Sequence, residues 1–578
     1  MRAIPTARHH CAGLLLVAFL GWSLVSVATP ALGQDQDKKE KGEEKPKGQE
    51  KGRAESPNAL SDADVIGFVN EQLEKAWKEN NIKSSGPAPD HAWLRRIHLD
   101  LVGRIPHVDE INAYYKRPKE TRKAQTVKAL IAHPDYAKNW ANIWTVWLLT
   151  RNSIPGTDRE NLRRWLEDGF AMGKKYDRMV FDLITATGKA NETSGNAPAT
   201  NFILSHMGER VAPEKRGLEG QFEMVPVTSR ATKLFLATQT QCTQCHDHPF
   251  IDDRKQNQYW GVNAFFRQTE RRPEMIQTRG NRQVEAYYEL RENASFNRDG
   301  GIYFEKRNGL LLKTTPTYLD GGKLTLSTGS RREALAKMMI EDEKFSQAIV
   351  NRMWAHFHGR GLTNPIDDFG EHNPVSHPEM LDYLAKAFVQ SGYDLQRLQT
   401  WICNAKSYHL SSVANATNAK TDADPYFARM QLKAMSPEQL VDSIFTATNA
   451  DQTRSSPQER RRMYDEWLRD FSVQFGDDEG NEATFNGTVI QALLLMNGPR
   501  LNDAIKAKPG SLMGRAATIP NARARLNYLF QSVLSRPPSE REATVALNLL
   551  RTSAKDPAAP WQDILWALLN SNEFFLNH

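Results

Sequence analysis

Apolar residues recur at helical spacing along most of the chain, and this pattern predicts a mainly α-helical protein. Ser61, followed by two aspartates, has the composition of a helix N-terminus and precedes apolar residues at helical spacing. Trp140, Trp144 and Trp147 fall at positions i, i+4 and i+7, so they share one helix face. An aromatic stripe at this spacing is typical of a hydrophobic core.

Further helix signals lie closer to the C-terminus. Leu234 to Cys245 also has a helical pattern. Three serines precede a Glu or Gln by three residues, as in a capping box, and we expect each to begin a helix: Ser376 with Glu379, Ser436 with Gln439, and Ser539 with Glu542.

One segment, residues 271–330, breaks the helical pattern. Its residues alternate loosely between apolar and polar, and the glycine pairs at 300–301 and 321–322 punctuate it. We therefore predict two helical domains, at 61–270 and 331–578, joined by a small strand-containing segment.

The first residues resemble an export signal. Arg2 and Arg8 precede an apolar run from Cys11 to Ala28, and Ala31-Leu32-Gly33 offers a cleavage site. We predict a signal peptide over 1–33, with an uncleaved membrane anchor as the alternative. No later segment holds 18 uninterrupted apolar residues, so any membrane contact is expected only through that anchor. The rest of the chain is expected outside the cytoplasm, in the periplasm or cell envelope, or secreted.

Residues 34–57 carry seven basic and seven acidic side chains and no large apolar one, which predicts a charged, disordered spacer. Over all 578 residues the net charge is only +6 and dispersed, which argues against a nucleic-acid partner. The chain has only four cysteines, too few for a disulfide scaffold.

Cys242-Thr243-Gln244-Cys245-His246 matches the attachment signature of a c-type haem. Residues three apart on a helical turn share a face, so both sulfurs can reach the two vinyl groups of one porphyrin. His246 would then supply one axial ligand to the iron. Such haem is attached outside the cytoplasm, which agrees with the export signal.

Other chemistries remain open for the same segment. Cys242 and Cys245 could form a short disulfide in an oxidising compartment. They could also hold Zn or Fe with further ligands nearby, which are His246, His248, Asp252 and Asp253. A thioredoxin-like redox pair is disfavoured, because no βαβ pattern surrounds the motif.

A second axial ligand cannot be read from the motif itself. His248 is only two residues from His246 and would lie on the same side of the porphyrin ring, so it is excluded as the trans ligand. The other candidates lie elsewhere in the chain and are His206, Met207, Met353 and His356.

Several longer runs resemble a known family pair. QCTQCHDHPF at 241–250 resembles the signature of the planctomycete cytochrome-associated family called domain of unknown function 1549. PTYLDGG at 316–322, VNRMWAHFHGRGLTNPIDDFG at 350–370, SHPEMLDYLAKAFVQSGYDL at 376–395 and the ending WALLNSNEFFLNH are similar to its usual partner, domain of unknown function 1553. The resemblance covers roughly residues 60–578.

The resemblance implies an exported protein without an established reaction. By position, it implies that Cys242, Cys245 and His246 are the haem-binding residues, and that His356 and His377 match histidines of the second domain. His358 departs from the pattern, because an aromatic residue is expected there.

We therefore expect an exported haem c protein acting in electron transfer or in an oxidative step, with a redox partner that the sequence does not identify. One alternative is a non-haem binding or scaffold protein with a disulfide or structural metal at the motif. Another is a metal-dependent hydrolase acting on polysaccharide, with ligands drawn from Asp367, Asp368, His372 and His377. The sequence leaves open whether the protein is an enzyme.

Overall fold

A computed structural model describes residues 60–151, 154–249, 251–252, 254–277, 283–322, 329–475, 498–552 and 557–578. The predicted signal peptide, the charged spacer and Asp253 lie outside the described residues. The structure is 59% helical, with 23 α-helices and few, short strands in the described ranges, which confirms the mainly α prediction. Within these ranges no helix is both long enough and apolar enough to cross a bilayer.

Eleven helices precede the strand-containing segment and twelve follow it in the part of the chain described. The first group is α1 Asp62–Glu79, α2 Asp90–Val102, α3 Val108–Lys116, α4 Arg122–Ile131, α5 Pro134–Leu149, α6 Arg159–Ala171, α7 Tyr176–Thr185, α8 Thr200–Ser205, α9 Arg216–Glu223, α10 Val225–Leu236 and α11 Gln256–Asn263. The second is α12 Arg331–Glu341, α13 Glu343–His358, α14 Pro378–Gln390, α15 Leu395–Asn404, α16 Pro437–Thr448, α17 Pro457–Phe475, α18 Pro499–Ala504, α19 Leu512–Ala517, α20 Ala522–Leu534, α21 Glu540–Thr552, α22 Ala559–Leu569 and α23 Asn572–Phe575.

Among the described residues, the strands form three small antiparallel sheets. The strands are β1 Gly188–Lys189, β2 Thr269–Gln277, β3 Gln283–Glu292, β4 Ile302–Glu305, β5 Leu311–Thr314, β6 Lys433–Ala434 and β7 Leu576–Asn577. β3 lies between β1 and β2, β4 pairs with β5, and β6 pairs with β7. Thr269 faces Glu292 across β2 and β3, and a bulge follows Glu274. Strands β2 to β5 fall at 269–314, which confirms the strand-containing segment.

The main hydrophobic core takes side chains from both sides of that segment. Trp140 and Phe235 from the first helical region pack in the same cluster as Met353 and Trp401 from the second. A smaller core lies among residues 435–575 and includes Leu99 and Ile105 of the first region. The helices on the two sides of the strands are therefore held together by shared apolar packing.

Most of the predicted local signals are present. Trp140, Trp144 and Trp147 are all buried, as expected for a core stripe. Ser61 forms a capping box with Asp64. The other two boxes that the structure confirms are Ser436 with Gln439 and Ser539 with Glu542.

Two predicted helix boundaries are wrong. The helix expected over 234–245 ends at Leu236, because Ala237 is left-handed with a φ of 46° and its carbonyl accepts a hydrogen bond from the Phe369 N–H at 2.8 Å. Ser376 does not cap α14; the N-cap is His377, and the Ser376 hydroxyl lies 3.1 Å from its Nδ1 instead. At Ala237 a tertiary hydrogen bond, and at Ser376 a contact with the next residue, overrides the helix boundary that the local sequence predicts.

Candidate functional site

The first motif cysteine, Cys242, lies on a short 3₁₀-helix, Gln241–Gln244, that follows α10, and Cys245 is the residue directly after this helix. Side chains three residues apart eclipse one another on a 3₁₀-helix. Cys242 and Cys245 are three residues apart, and Cys245, directly after the helix, still has right-handed helical backbone angles. Both thiols are free and exposed to solvent. The turn therefore presents two accessible sulfurs on one face, although the element is not the α-helix that the sequence predicted.

Hydrogen bonds on the opposite side hold this turn in place. Thr243 is buried between the two cysteines, and its hydroxyl donates to the carbonyl of Thr240 at 2.6 Å. The carbonyl of Gln244 accepts from Trp260 Nε1 at 3.1 Å and from Gln256 Nε2 at 3.2 Å. The thiols consequently project from a backbone that the protein interior anchors.

His246 follows the turn and is partly exposed. Its Nδ1 lies 2.6 Å from the carbonyl oxygen of Asp247. Because a carbonyl oxygen can only accept, this contact places the proton on Nδ1 and leaves the lone pair on Nε2. An imidazole fixed in this tautomer by a backbone carbonyl is typical of histidines that bind a metal through Nε2. The motif residues therefore fit covalent attachment and axial ligation of a haem.

His248 supports the loop that leaves the motif. The ring Nδ1 of His248 accepts a hydrogen bond from the Ile251 N–H at 3.1 Å. The backbone N–H of His248 donates to the carbonyl of Arg254 at 2.8 Å. Desolvation lowers the pKa of His248, and the nearby Arg254 lowers it further. Asp252 is exposed at the tip of the loop. Over the described ranges, no three His, Cys, Asp or Glu side chains are grouped closely enough to hold a metal ion.

A segment of the second region, residues 367–372, packs against the motif loop. Arg254 Nη1 lies 3.1 Å from Asp368 Oδ1, and Arg254 also donates to the carbonyls of Gln239 and Phe369. The other oxygen of Asp368 lies 2.8 Å from His372 Nε2. Three of the polar residues singled out from the sequence, Asp367, Asp368 and His372, are thus brought to the motif.

The remaining contacts of this segment strengthen the same join. Asp367 receives Lys233 Nζ at 3.1 Å and Gln239 Nε2 at 3.2 Å. The rings of His248 and His372 lie 6.5 Å apart between centroids. Asp367, through Lys233 and Gln239, and Asp368, through Arg254, therefore hold the chain on both sides of the CTQCH motif.

Of the four candidates for a second axial ligand, Met207 and Met353 lie in the core, and His206 and His356 are partly buried beside it. His356 packs on Trp140 with 4.9 Å between ring centroids, and burial lowers its pKa to about 4. Met353 and Met207 are buried among apolar side chains. His206 donates from Nε2 to the carbonyl of Leu148 at 2.7 Å, and burial lowers its pKa to about 4.

The other two histidines noted in the sequence are also buried. His358 stacks on Trp354 at 4.1 Å between centroids, and its Nε2 lies 2.9 Å from the Ser407 hydroxyl. His377 packs on Phe427, and burial lowers its pKa to about 4. His358 therefore has a packing role, as its departure from the family pattern suggested.

An open cavity of about 1100 Å³ lies beside the motif. Thr240 and Thr243 contribute to its wall, so one 3₁₀-turn borders the cavity while its thiols are exposed to solvent. Both family regions contribute lining residues, and carboxylates outnumber basic groups among them: Asp252, Asp320, Glu341, Asp342, Glu371 and Asp382 against Arg254, Lys255 and Lys344. The four candidate second ligands do not appear in this lining.

Sequence reasoning missed Arg254 and Trp260. Arg254 lies eight residues after His246, the last residue of the motif, and joins the motif to the second region, while Trp260 donates a hydrogen bond to the Gln244 carbonyl. A single arginine or tryptophan carries no periodic signal, and Asp368 and Phe369, the partners of Arg254 in the second region, lie more than a hundred residues away. Only the three-dimensional contacts identify these two residues.

Comparison with protein-family models gives two matches. Residues 68–271 match PSCyt2, protein of unknown function (DUF1549), and residues 331–550 match PSD1, protein of unknown function (DUF1553). Searches of curated proteins and of solved structures each found no match. The order of the two regions is the one expected from the sequence resemblance, and over these residues the chain belongs to the DUF1549 and DUF1553 families.

Proposed function

We propose that this protein is an exported carrier of one covalently attached c-type haem, and that it transfers electrons outside the cytoplasm. The observation that carries the proposal is the geometry of one turn. Cys242 and Cys245 lie three residues apart at one 3₁₀ turn, both thiols are exposed, and the Nδ1 of the adjacent His246 contacts a backbone carbonyl.

Each residue of the turn has a separate task in this proposal. The two sulfurs would hold the haem through thioethers to its vinyl groups, and His246 would bind the iron through Nε2. The bound haem supplies one-electron redox chemistry. Thr243, Gln256 and Trp260 keep the turn rigid, so that sulfurs and imidazole hold a fixed relative position.

Export is part of the same proposal. Haem c is attached outside the cytoplasm, and the sequence of residues 1–33 has the features of a signal peptide. A different experiment tests each part, because haem attachment and export can fail independently.

The cavity beside the motif supports a second form of the same proposal, in which the haem takes part in an oxidative step on a small molecule. Its volume of about 1100 Å³ exceeds what a drug-sized ligand requires. Thr240 and Thr243 form part of its wall, so a molecule bound there would lie one backbone turn from the thiols. In this form of the proposal the cavity holds the electron donor or acceptor.

The non-haem alternatives require other bonds at the motif or other residues near it. A scaffold protein would hold a Cys242–Cys245 disulfide or a structural metal at the motif, where both sulfurs are exposed. A metal-dependent hydrolase would need a ligand cluster, for which Asp368 and His372 supply one neighbouring pair.

The test is production of the full chain in a host that matures c-type haem. The denatured protein should retain haem-linked peroxidase staining, and its mass should exceed that of the polypeptide by one haem. Metal analysis of the same preparation provides the comparison. Zinc without covalent haem, or a mass lower by two hydrogens, would support the scaffold alternatives instead.

A further inference from the structure

A lysine and an asparagine lie directly opposite each other in the short β6–β7 sheet. Lys433 is the Cα partner of Asn577 in this antiparallel pair. Residues directly opposite in such a pair hold their Cβ atoms about 4.5–5.5 Å apart. The two side chains therefore start from neighbouring positions, although they are far apart in the sequence.

Both side chains converge on one carboxylate oxygen from the last turn of α2. Oδ1 of Asp100 accepts a hydrogen bond from Lys433 Nζ at 2.8 Å and from Asn577 Nδ2 at 2.7 Å. The second oxygen of Asp100 accepts from the Tyr408 hydroxyl at 2.7 Å, which fixes the orientation of the carboxylate. An amine and a carboxamide are thereby held around a single carboxylate oxygen.

Water has little access to these three side chains. Asp100 and Asn577 are 1% and 3% exposed, and the side chain of Lys433 is 15% exposed. Lys433 Nζ also donates to the carbonyls of His356 and Phe357, at 2.8 and 3.1 Å, so its position is fixed. Desolvation lowers the pKa of Lys433, which favours the neutral amine, the nucleophilic form of this side chain.

The carbonyl oxygen of the Asn577 side chain has no partner. Among the described residues no hydrogen-bond donor reaches its Oδ1, although this atom is buried. A buried polar atom normally forms a hydrogen bond, and an exception requires an explanation. The carboxamide is instead held through Nδ2, the atom that departs when an amine attacks the Cγ carbon.

We propose that Lys433 and Asn577 form an intramolecular isopeptide bond, and that Asp100 catalyses its formation. Nζ attacks Cγ of Asn577, the Nζ–Cγ bond forms, and the Cγ–Nδ2 bond breaks. The Lys433 ammonium gives up two protons, and Asp100 relays them to the leaving nitrogen, which departs as one ammonium ion. Asp100 ends as the carboxylate with which it began, and the step requires no oxidant or reductant.

The bond closes a covalent loop around the smaller core. The chain between β6 and β7 contributes most of that core, at residues 435–575. A covalent closure restricts the unfolded chain, as a disulfide does, and thereby stabilises the fold. An amide bond also survives reducing conditions. Its formation does not depend on haem.

Mass spectrometry of the denatured full chain tests the proposal. The bond lowers the polypeptide mass by one ammonia molecule, and this loss is the same with and without haem, so the haem mass difference is unchanged. Trypsin does not cut after an acylated lysine, so residues 430–454 should be recovered joined to residues 556–578. An unreduced polypeptide mass, with the two segments recovered separately, would overturn the proposal.

Two variants remove one reacting group each and keep the carboxylate. Lys433→Arg retains a positive charge beside Asp100 but has no primary amine, and Asn577→Ala has no carboxamide. Both should lose the joined peptide and the mass difference. Asn572→Ala is the matched control, because Asn572 is exposed and lies in the same tryptic segment. Loss of the joined peptide in this control would overturn the assignment of Asn577.

A further variant tests the role of Asp100. Asp100→Asn has the same size but cannot relay a proton, so the peptides should stay separate in the folded variant. A joined peptide in this variant would overturn the catalytic role of Asp100. Tyr408→Phe serves if Asp100→Asn fails to fold, because it keeps the carboxylate but removes the hydrogen bond that orients it. It should reduce the joined fraction, and an undiminished fraction would overturn that role.

Discussion

Arg254 and Asp368 form an ion pair of 3.1 Å that joins the loop after the CTQCH motif to the second helical region. Both side chains are mostly buried, and Asp368 also binds His372. The pair lies beside the cavity, to which Arg254 contributes. The position of the motif therefore depends on residues from both family regions.

Replacing Asp368 by Asn should loosen this join. The change leaves the Arg254 charge mostly buried with only carbonyl partners, and we expect a loss of about 1–3 kcal/mol in unfolding free energy. Urea denaturation followed by circular dichroism measures the loss. Glu371→Gln, an exposed neighbour, is the control and should change stability by less than about 0.5 kcal/mol. Equal stabilities of the two variants would contradict the account.

Asp100 should be a stronger determinant of stability. This buried carboxylate accepts hydrogen bonds from Lys433 at 2.8 Å, Tyr408 at 2.7 Å and Asn577 at 2.7 Å. Asp100→Ala leaves the Lys433 ammonium buried without a counter-ion, so we expect a loss of about 3–5 kcal/mol.

The matched variant for that experiment is Asp109→Ala, which removes an exposed carboxylate from the first turn of α3. It should cost about 1 kcal/mol or less. If Asp100→Ala unfolds at the same urea concentration as Asp109→Ala, the buried network does not stabilise the fold.

Stability should fall on acidification because of buried histidines. Burial lowers the pKa of His206 to about 4, below the usual value of 6.5, so the unfolded chain binds protons first. The contribution of His206 is complete above pH 6.5 and is lost as the pH falls toward 4. The linkage amounts to about 2 kcal/mol between pH 7 and pH 5.

His206→Gln isolates this effect, because glutamine can keep the hydrogen bond to Leu148 but does not titrate. Unfolding free energies at pH 7 and pH 5 should differ less in the variant than in the unmodified protein. An identical difference in the two proteins would show that His206 remains neutral in both states or charged in both.

The motif histidines should differ in their effect on haem. His246→Ala removes the proposed iron ligand, so it should change the visible spectrum and greatly reduce the yield of haem-bearing protein. His248→Ala leaves Nε2 of His246 in place and should retain covalent haem with a similar spectrum. Spectra of the two variants under reducing conditions make the comparison. Equal loss of haem in both variants would contradict the assignment of His246 as the iron ligand.

The sequence predicts local features of this protein better than long-range ones. The tryptophan stripe of α5, the strand-containing segment and the capping box at Ser436 follow from periodic or short-range patterns, and the structure confirms them. The same box pattern at Ser376 is wrong, because the Ser376 side chain contacts His377 instead. A short pattern cannot report which partner a serine finds in the folded chain.

The candidate site was also predicted only in part. The spacing of Cys242 and Cys245 predicts both sulfurs on one face of a tight helical turn, and the structure has a 3₁₀ turn at these residues. Asp367, Asp368 and His372 lie beside the motif because of contacts with residues that are more than a hundred positions away in the sequence. The position of Asp100 beside the β6–β7 sheet likewise depends on how α2 packs in the fold. Neither relationship leaves a signal in the order of the residues.

The mass of the denatured protein, produced with haem c maturation, tests the central claim most directly. The account predicts the polypeptide mass plus one haem for the unmodified chain, and the polypeptide mass alone for the Cys242→Ala, Cys245→Ala double variant. The buried Cys403 remains in both proteins, so the difference reports the motif thiols. A mass without haem in the unmodified chain, from cells that mature a control cytochrome normally, would contradict the account.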